Sequence, residues 1–451
     1  MSFPSHIFAG SRFAVVGLGR NGLPAARALA AMGAAVTAWD DAPTARAQAA
    51  AAGLHVAPPE PAHLDALVLS PGIPHLLPAP HPIAAAARDA GVPILSDADL
   101  LFRAVRTAGS RARFAGITGT NGKSTTTALL AEIVAAARLP VAAGGNLGPA
   151  ALALPLLPDD GVYVLEMSSY MLERLARLRF DAAAMLNLSP DHLDRHGDMA
   201  GYAAAKRGIF ARQTDADAAV IGIDDDASRG MAASLGRRVV TISGMVPADV
   251  FADGTLLRDA AGPIADLAGA PALPGTHNAQ NAAAAAALAL ALGIPRSAIA
   301  AGIAAFPGLP HRQERVGTRS GVQFVNDSKA TNADSAARAL VCYPRVIWIA
   351  GGIAKAGGIA PLAPLFPRVA HAFLIGRDAP QLAATLAEHG TPHTVCETLE
   401  RAVPAAFAAA RAAGVGVVLL SPACASFDQF SGFDARGDRF RTLAQTLAEA
   451  A

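Results

Sequence analysis

The sequence lacks the features of secreted and membrane-spanning proteins. Only three of its 451 residues are cysteines, at positions 342, 396 and 424. So small and odd a number suits a reducing compartment rather than a disulfide framework. No uncharged run of eighteen strongly apolar residues occurs, and the alanine-rich stretch 282–292 is too short to cross a bilayer. The first ten residues carry no basic segment followed by an apolar one, so we expect no signal peptide.

Charge of either sign is also scarce. Lys and Arg number 37 and Asp and Glu 36, so the net charge is +1 at pH 7 and charged residues make up 16%. This balance offers no general electrostatic surface for nucleic acid or anionic lipid, so anionic ligands must be held by local groups. We expect a soluble, cytoplasmic, monomeric protein that binds small molecules, without nucleic acid and without membrane insertion.

Short β-branched runs alternate with alanine-rich helical stretches along the chain, for example at 12–16, 35–39, 114–118, 162–166 and 415–420. This alternation predicts α/β domains with largely parallel sheets. A chain of this length exceeds what one hydrophobic core normally supports, so two or three domains are expected. We place the boundaries near 102–107 and 307–309.

The most informative segment is 116–127, which reads GITGTNGKSTTT after an apolar run. Its glycines allow backbone N–H groups to close on phosphate oxygens, and the helix start that follows adds partial positive charge. Lys123 would supply a full charge, and Ser124 or Thr125 a hydroxyl for Mg²⁺. The spacing departs from the standard Walker A pattern because Ile117 stands where its first glycine belongs. The alternative is an ordinary glycine-rich turn.

A second glycine motif, Gly17-x-Gly19-x-x-Gly22, follows the run 12–16, and Asp40 closes the next strand. This is the dinucleotide fingerprint in its usual context, although a helix N-terminus binds any pyrophosphate, including that of a UDP-sugar. The segment 70–74, SPGIP, ends a later strand and could cover the same ligand. The alternative is a tight turn without a ligand.

Other polar side chains also follow predicted strands. Glu166 ends an apolar strand and is a plausible Mg²⁺ ligand, while the segment 187–196 could provide a second metal position or simply a polar turn. Zinc is disfavoured because the segment has no cysteine. Asn278 and Asn281, three residues apart, indicate one helix face used for hydrogen bonding. By pattern alone, Lys206 is an ordinary surface lysine.

Taken in order, these motifs resemble those of the Mur ligases, the ATP-dependent amide-forming enzymes of peptidoglycan synthesis. The resemblance rests on TGTNGKST (118–125), GGNLG (144–148), EMSSYMLE (166–173), DHLDRH (191–196), HNAQN (277–281), HRQE (311–314), NDSKATN (326–332) and SPACASFDQF (421–430). The segments GLGRNG (17–22) and SPGIP make the resemblance strongest to those family members that join D-glutamate to UDP-N-acetylmuramoyl-L-alanine. It implies a Rossmann-like UDP-substrate domain (1–104), a P-loop ATPase-like ATP-binding domain (105–307) and a Rossmann-like amino-acid-binding domain (308–451).

The resemblance also implies residue roles. Catalysis would involve Lys123, His192 and Lys206, the last carbamylated. The metal ligands, for two Mg²⁺ ions, would be Ser124, Glu166, His192 and Lys206. ATP would be bound by Gly119, Thr120, Asn121, Gly122, Lys123, Ser124, Thr125, Asn278, Asn281, Arg312 and Asp327. The UDP substrate would be bound by Gly17, Leu18, Gly19, Arg20, Asn21, Gly22, Asp40, Ser70, Gly72 and Asn146. D-glutamate would be bound by Lys329, Thr331, Lys355, Ser426 and Phe433.

The chain departs from the family pattern at Ile353, where better-known members carry an aspartate, and at Phe427, where an aliphatic residue is common. Three alternatives remain at this stage. A folylpolyglutamate synthetase-like ligase would share the phosphate loop but not GLGRNG. An NAD-dependent oxidoreductase would explain the first fingerprint but not NDSKATN. A nucleotide-gated binding protein would not turn over its substrates.

Overall fold

The computed structural model describes residues 1–146, 148–355 and 357–447. Leu147, in the 144–148 motif, and Ala356, beside Lys355, therefore lie outside the described residues. The chain divides into two compact units, one made of Met1–Ala270 and Thr276–Phe306, the other of Pro271–Gly275 and the residues from Pro307 onward. In the part of the chain that the structure describes, no helix has the length and apolar composition needed to span a bilayer.

The first unit starts with a parallel sheet made from short apolar runs. Its strands are β1 (Arg12–Val16), β2 (Ala35–Trp39), β3 (His55–Val56), β4 (Ala66–Leu69) and β5 (Ile94–Leu95). The accompanying helices are α1 (Gly22–Ala31), α2 (Pro43–Ala51), α3 (Pro82–Asp89) and α4 (Asp97–Thr107). The strand order is β3-β2-β1-β4-β5. Because parallel strands are covered on both faces, β1 and β4 are continuously apolar rather than alternating.

A second sheet follows in the same unit. Its strands are β6 (Arg113–Thr118), β7 (Val141–Gly145), β8 (Val162–Glu166), β9 (Ala182–Met185), β10 (Ala218–Gly222), β11 (Val239–Ser243), β12 (Val250–Asp253), β13 (Leu256–Asp259) and β14 (Gly262–Asp266). Its helices are α5 (Lys123–Ala136), α6 (Ser169–Leu172), α7 (Leu193–His196), α8 (Met199–Arg207), α9 (Asp226–Ser234), α10 (Thr276–Ala291) and α11 (Arg296–Ala305).

The order of this sheet, β14-β13-β12-β11-β10-β9-β6-β8-β7, places β6 between β8 and β9. These three strands are parallel, so their carboxyl ends meet at one edge, which is where ligands bind in such sheets. The loops after them carry the phosphate-loop motif, Glu166 and the 187–196 segment. A continuous apolar core, which includes Phe13 and Phe114, joins this sheet to the first.

The second unit contains a mixed sheet ordered β15-β16-β20-β17-β18-β19. Its strands are β15 (Glu314–Arg319), β16 (Val322–Asn326), β17 (Val346–Gly351), β18 (Val369–Ile375), β19 (His393–Glu397) and β20 (Val417–Leu420). Its helices are α12 (Ala333–Leu340), α13 (Ala379–Glu388), α14 (Leu399–Ala413) and α15 (Phe433–Thr446). Strand β15 is antiparallel to β16, and the other pairings are parallel.

The predicted α/β class with three parallel-dominated sheets is confirmed. The antiparallel pairings of β12 with β13, β13 with β14 and β15 with β16 were not predicted. The residue-level domain boundaries remain predictions, although positions 104 and 105 both lie inside α4. The second boundary, 307/308, falls one residue from the division between Phe306 and Pro307.

A buried aspartate on α4 fastens this helix to the chain segment before β9. Asp99 is fully buried. Its Oδ1 accepts hydrogen bonds from the backbone N–H groups of Ala176 (2.8 Å), Arg177 (2.6 Å) and Leu178 (2.8 Å). Its Oδ2 lies 2.8 Å from a guanidinium nitrogen of Arg103. The carboxylate therefore joins the last helix of the first sheet to the second sheet.

We expect Asp99→Asn to lower the free energy of unfolding by about 1–3 kcal/mol, because an amide cannot accept all of these hydrogen bonds and leaves buried donors unpaired. Urea denaturation followed by circular dichroism measures the change. The control is Asp89→Asn at the exposed end of α3, which we expect to change stability by less than about 0.5 kcal/mol. Equal stability of the two variants would contradict a role for Asp99 in joining the sheets.

Candidate active site

The phosphate-loop motif adopts the predicted strand–loop–helix arrangement. Strand β6 ends at Thr118, and α5 begins at Lys123 directly after Gly122, whose φ is 86°. A Cβ on Gly122 would lie 2.1 Å from Asn281 Oδ1, so conformation and space both require glycine here. The loop is held from the far side, because the backbone N–H of Asn121 donates to Asn187 Oδ1 at 2.8 Å.

Two lysines converge on the carbonyls of this loop. Lys123 Nζ donates to the carbonyl oxygens of Gly119 and Thr120, both at 2.8 Å. Lys206 Nζ, from α8, also donates to Gly119 O at 2.8 Å and lies 4.6 Å from the centre of the Tyr202 ring. Burial, followed by the charge of Lys123, holds the pKa of Lys206 well below its usual value. The reading of Lys206 as a surface lysine was wrong, since it is only 1% exposed.

Glu166 presents oxygen atoms at the same sheet edge. Its Oε1 accepts a hydrogen bond from Asn146 Nδ2 at 2.6 Å, while the buried Oε2 has no hydrogen-bond partner among the described residues. A buried, unpaired carboxylate oxygen fits a hard divalent cation. Among the described residues, no group of three or more His, Cys, Asp or Glu side chains forms a ready-made metal site. A metal ion at Glu166 would therefore need further ligands, such as phosphate oxygens or water.

His192 lies next to this edge in an unusual backbone conformation, with φ at 53°. Its Nε2 is 3.3 Å from Asp191 Oδ2. Burial lowers the pKa of His192, which favours the neutral imidazole that a metal ligand requires.

The paired asparagines lie on one face of α10. Asn281 Nδ2 donates to Asn278 Oδ1 at 3.0 Å, and Thr126 Oγ1 on α5 donates to Asn281 Oδ1 at 3.3 Å. The long helix begins at Thr276, so both asparagines lie within its first turns rather than before it. This arrangement brings the pair beside the phosphate loop.

The first glycine motif lines a cavity of about 510 Å³. Seven of the predicted UDP-substrate residues line it: Gly17, Gly19, Arg20, Asn21, Asp40, Ser70 and Asn146. Leu18 is instead buried, although its backbone N–H donates to Asp40 Oδ2 at 2.6 Å. A Cβ on Gly22 would lie 1.8 Å from Gly17 O, so helix α1 requires glycine at its start.

A second cavity, of about 320 Å³, adjoins the first. It is lined by Pro71, Gly72, Lys123, Asn146, Ser168, Ser169, Tyr170, Asp191, His192, Tyr202 and Lys206. Pro71 and Asn146 line both cavities. The structure thus places a glycine-rich pyrophosphate-type site in one cavity, and Lys123 of the phosphate loop with Lys206 of α8 in a neighbouring cavity that shares two lining residues with it.

Arg174, which sequence reasoning missed, holds the loop after β4 in place. This guanidinium is 2% exposed, and Nη1 donates to the carbonyls of Leu69 (2.8 Å) and Ser70 (3.1 Å). Nη2 donates to Ile73 O at 2.6 Å. Burial lowers the pKa of Arg174 to about 10. The only sequence signal was its position directly after EMSSYMLE.

A second unpredicted feature is a linear arrangement of Ser169, His196 and Glu173 beside the second cavity. Ser169 Oγ lies 2.9 Å from His196 Nε2, and His196 Nδ1 lies 3.0 Å from Glu173 Oε1. The imidazole of His196 stacks on Tyr170, with ring centres 5.5 Å apart. Beyond Glu173, its Oε2 is 3.9 Å from His75 Nε2.

The remaining predicted residues lie in the second unit. Asp327 is buried there, with Oδ2 accepting from Ser421 Oγ at 2.7 Å and Oδ1 from the Gln313 N–H at 3.2 Å. Burial raises the pKa of Asp327 to about 7. Lys329 Nζ lies 5.0 Å from the centre of the Phe433 ring.

The loops that carry the other predicted amino-acid residues in this unit are held by an arginine that was not predicted. Arg436 is 1% exposed and donates to Ser328 Oγ (3.0 Å), Ser328 O (2.9 Å), Gly351 O (3.2 Å) and Cys424 O (3.0 Å). Ser426 is buried nearby in sequence, whereas Lys355 is exposed and Thr331 half-buried.

The two departures from the family pattern differ in environment. Ile353 forms a backbone bridge with Ala425, and the next N–H, of Ala354, donates to Asp378 Oδ2 at 2.8 Å. The carboxylate of Asp378 therefore contacts the loop in which the family aspartate is replaced by Ile353. Phe427 is 72% exposed, so its ring does not fill a pocket within the second unit.

Three parallel-dominated sheets and a lysine-bearing phosphate loop define an α/β nucleotide-binding protein. Residues 117–289 match the Mur ligase middle domain, and residues 311–424 match the Mur ligase glutamate ligase domain. The chain belongs to the Mur ligase family, whose members catalyse ATP-dependent amide ligation in peptidoglycan synthesis.

Full-length relatives support this assignment. The UDP-N-acetylmuramoylalanine–D-glutamate ligase of Paramagnetospirillum magneticum is 51% identical over 451 residues, which covers 98% of each chain. The ligase of the same name from Rhodospirillum rubrum is 50% identical over 99% of this chain and 96% of its own.

Solved structures resemble the fold. MurF from Acinetobacter baumannii matches with a TM-score of 0.61 and 19% identity over 99% of this chain and 93% of its own. The UDP-N-acetylmuramate-alanine ligase MurC from Thermotoga maritima matches with a TM-score of 0.60 and 17% identity over 97% and 99%.

The raised pKa of Asp327 predicts a pH-dependent stability of the second unit. Between about pH 4 and pH 7 the folded state keeps a proton that the unfolded state releases, so stability falls as pH rises through this range. We expect Asp327→Asn to flatten the dependence by up to about 1.4 kcal/mol per pH unit.

The measurement is urea unfolding followed by Trp348 fluorescence in a Trp39→Phe background, because these are the two tryptophans of the chain and Trp348 is buried in the core of the second unit. Asp334→Asn on the same unit is the control and should keep the wild-type slope. Identical slopes for all three proteins would contradict the assignment to Asp327.

Proposed function

We propose that this chain joins D-glutamate to UDP-N-acetylmuramoyl-L-alanine, with ATP converting the alanyl carboxylate to an acyl phosphate. The observation that carries the proposal is the pair of adjoining cavities with shared walls. One is built on a glycine-rich helix start suited to a pyrophosphate, and the other is lined by Lys123 of the phosphate loop and by Lys206. The curated relatives that are about half identical over the full length carry this activity in their names.

The first cavity would hold the uridine diphosphate part of the substrate. The N-terminus of α1 presents N–H groups and partial positive charge, and Arg20 adds a full charge at the cavity wall. The hydrogen bond from Asn21 Nδ2 to Gly145 O, 3.2 Å, fixes the glycine turn against the 144–148 motif. The muramoyl-alanyl end would then extend past Asn146 into the second cavity.

In the second cavity, a carboxylate attacks the γ-phosphorus of ATP and ADP leaves. A carboxylate is a poor electrophile in water, and the acyl phosphate formed in this step provides a good leaving group. Lys123 would move from the loop carbonyls to the phosphates and offset charge during transfer, which is the principal contribution of proteins to phosphoryl transfer. The amine of D-glutamate then attacks the acyl carbon, phosphate leaves, and an amide with one released proton results.

Mg²⁺ fits this site because of the unpaired Glu166 oxygen, and Ser124, Glu166 and His192 would hold it. Bound Mg²⁺ would neutralise phosphate charge. We also propose that Lys206 is carbamylated. Its lowered pKa favours the neutral amine, which adds CO₂ and releases a proton, and the resulting carboxylate could hold a second ion.

The second unit would bind the amino acid. We assign D-glutamate to Lys329, Thr331, Lys355, Ser426 and Phe433 of this unit, and we keep the sequence-based assignment of Arg312 and Asp327 to ATP. Two cationic lysines in the first group suit the two carboxylates of glutamate. Arg436 acts indirectly, because it holds the three loops on which Lys329, Thr331, Lys355 and Ser426 lie.

The assay that tests the proposed function measures phosphate release from ATP with UDP-N-acetylmuramoyl-L-alanine and one amino acid at a time. We expect release with D-glutamate and not with L-glutamate or a diamino acid. Replacement of the UDP substrate by a folate, or detection of nicotinamide binding, tests the two enzymatic alternatives. No phosphate release with the complete set of substrates would contradict the proposal and favour a binding protein.

Lys123→Ala should lower kcat/KM for ATP by about 100- to 1000-fold, because the transferring phosphoryl group loses one cation that offsets its charge. Circular dichroism should show an unchanged fold. The control is Arg138→Ala, which removes an exposed positive charge beyond the other end of α5 and should retain full activity. Near-normal turnover by Lys123→Ala would refute the phosphate-loop assignment.

Glu166→Gln should raise the Mg²⁺ concentration for half-maximal activity at least about tenfold, because an anionic oxygen ligand is replaced by a neutral amide. A Mg²⁺ titration at saturating ATP measures the shift. The amide keeps the size of the side chain, so packing is preserved. An unchanged Mg²⁺ requirement would exclude Glu166 as a metal ligand.

A further inference from the structure

Ser169 lines the second cavity, yet no step of the proposed reaction uses it. Its hydroxyl is held by His196, 2.9 Å away, and His196 is held by Glu173 at 3.0 Å. The imidazole is packed between the rings of Tyr170 and Tyr202. These contacts fix the position of a serine hydroxyl in a residue that lines a ligand cavity, so we looked for a role of Ser169 in ligand binding.

The direction of the hydrogen bonds among Ser169, His196 and Glu173 follows from the groups that contact Glu173 from its other side, His75 and Arg174. The guanidinium of Arg174 can only donate, and its Nη2 lies 3.3 Å from His75 Nδ1. His75 therefore carries its proton on Nε2, which faces Glu173 Oε2 at 3.9 Å. Burial raises the pKa of the Glu173 carboxyl, while the positive charges of Arg174 and Arg195 oppose that shift and favour the anionic form.

An ionised Glu173 can only accept, so His196 carries its proton on Nδ1 and donates it to Oε1. His196 Nε2 is then an acceptor, and Ser169 must donate its hydroxyl hydrogen to it. Burial lowers the pKa of His196 to about 4, which is consistent with a neutral imidazole.

As a result, Ser169 Oγ presents only lone pairs to the cavity. The neighbouring lining groups Lys123 and Lys206 are donors, so an acceptor-only hydroxyl differs from them in chemistry. A carboxylate or phosphate oxygen would be repelled at Ser169, and an N–H group would be bound. The acceptor substrate of the proposed reaction has one such group next to its reacting carboxylate, the alanyl amide N–H.

We propose that Ser169 binds the alanyl amide N–H of the acceptor substrate, with His196 and Glu173 as positioning residues that fix the direction of its hydroxyl. The inference rests on the proposed function. It makes the site specific for an N-acyl amino acid rather than for the corresponding ester, because an ester oxygen would face the Ser169 lone pairs without a proton between them.

The experiment compares UDP-N-acetylmuramoyl-L-alanine with its depsi analogue, in which an ester oxygen replaces the alanyl N–H. The quantity measured is the ratio of kcat/KM for amide over ester. Ser169→Ala should lower this ratio by about five- to tenfold, mainly through KM for the amide, since one hydrogen bond is lost. His196→Phe keeps a ring between the two tyrosines and should lower the ratio in the same direction.

The matched control is Ser168→Ala. Ser168 lines the same cavity, but its Oγ accepts from the Met171 N–H at 3.3 Å, so the ratio should stay within about twofold of the wild type. If Ser169→Ala slows amide and ester equally, or leaves both unchanged, the inference is wrong. If the wild type ligates D-glutamate to neither substrate, it is the proposed function that fails.

Discussion

Burial of the Arg174 guanidinium against the loop after β4 holds the active-site region of the first unit together. The last carbonyl of β4 and two carbonyls of that loop accept its hydrogen bonds. Removing a cation from water is costly, and several fixed carbonyl dipoles are needed to compensate. Because Arg174 lies between β8 and β9 of the second sheet and the loop follows β4 of the first, this contact ties the connections of the two sheets together. Asn21 and Arg20 add weaker contacts across the same gap.

The cleft also accumulates positive charge that the chain as a whole does not have. Lys123 and Lys206 donate to the same carbonyl oxygen, that of Gly119, so their amino groups repel one another at short range. Burial, and after it this repulsion, lowers the pKa of Lys206. A polyanion would relieve it, so in a protein with a net charge of +1 the local arrangement of charges, rather than their sum, favours a phosphate at this loop.

Features encoded within a few consecutive residues could be predicted from the sequence. The phosphate loop, the first glycine motif and most parallel strands belong to this group, because glycine spacing and apolar runs determine them locally. The burial of Lys206 could not be predicted, since it depends on packing against residues 87 and 88 positions away. The same holds for Ser169 and Glu173 in and directly after α6, which hydrogen-bond to His196 of α7, and for Arg174 and Arg436. Family resemblance indicated a role for Lys206 but none for these five.

The position of Asn146 in the lining of both cavities has a consequence for ligand design. Its side chain borders both cavities, while its amide donates to Glu166. A single synthetic molecule that carries a pyrophosphate mimic at one end and a carboxylate or phosphonate at the other could run past this residue without leaving the protein surface. Tethering the two ends would make the second contact intramolecular, with an effective concentration in the millimolar range for a short linker. Two weak fragments could thereby become one tight inhibitor.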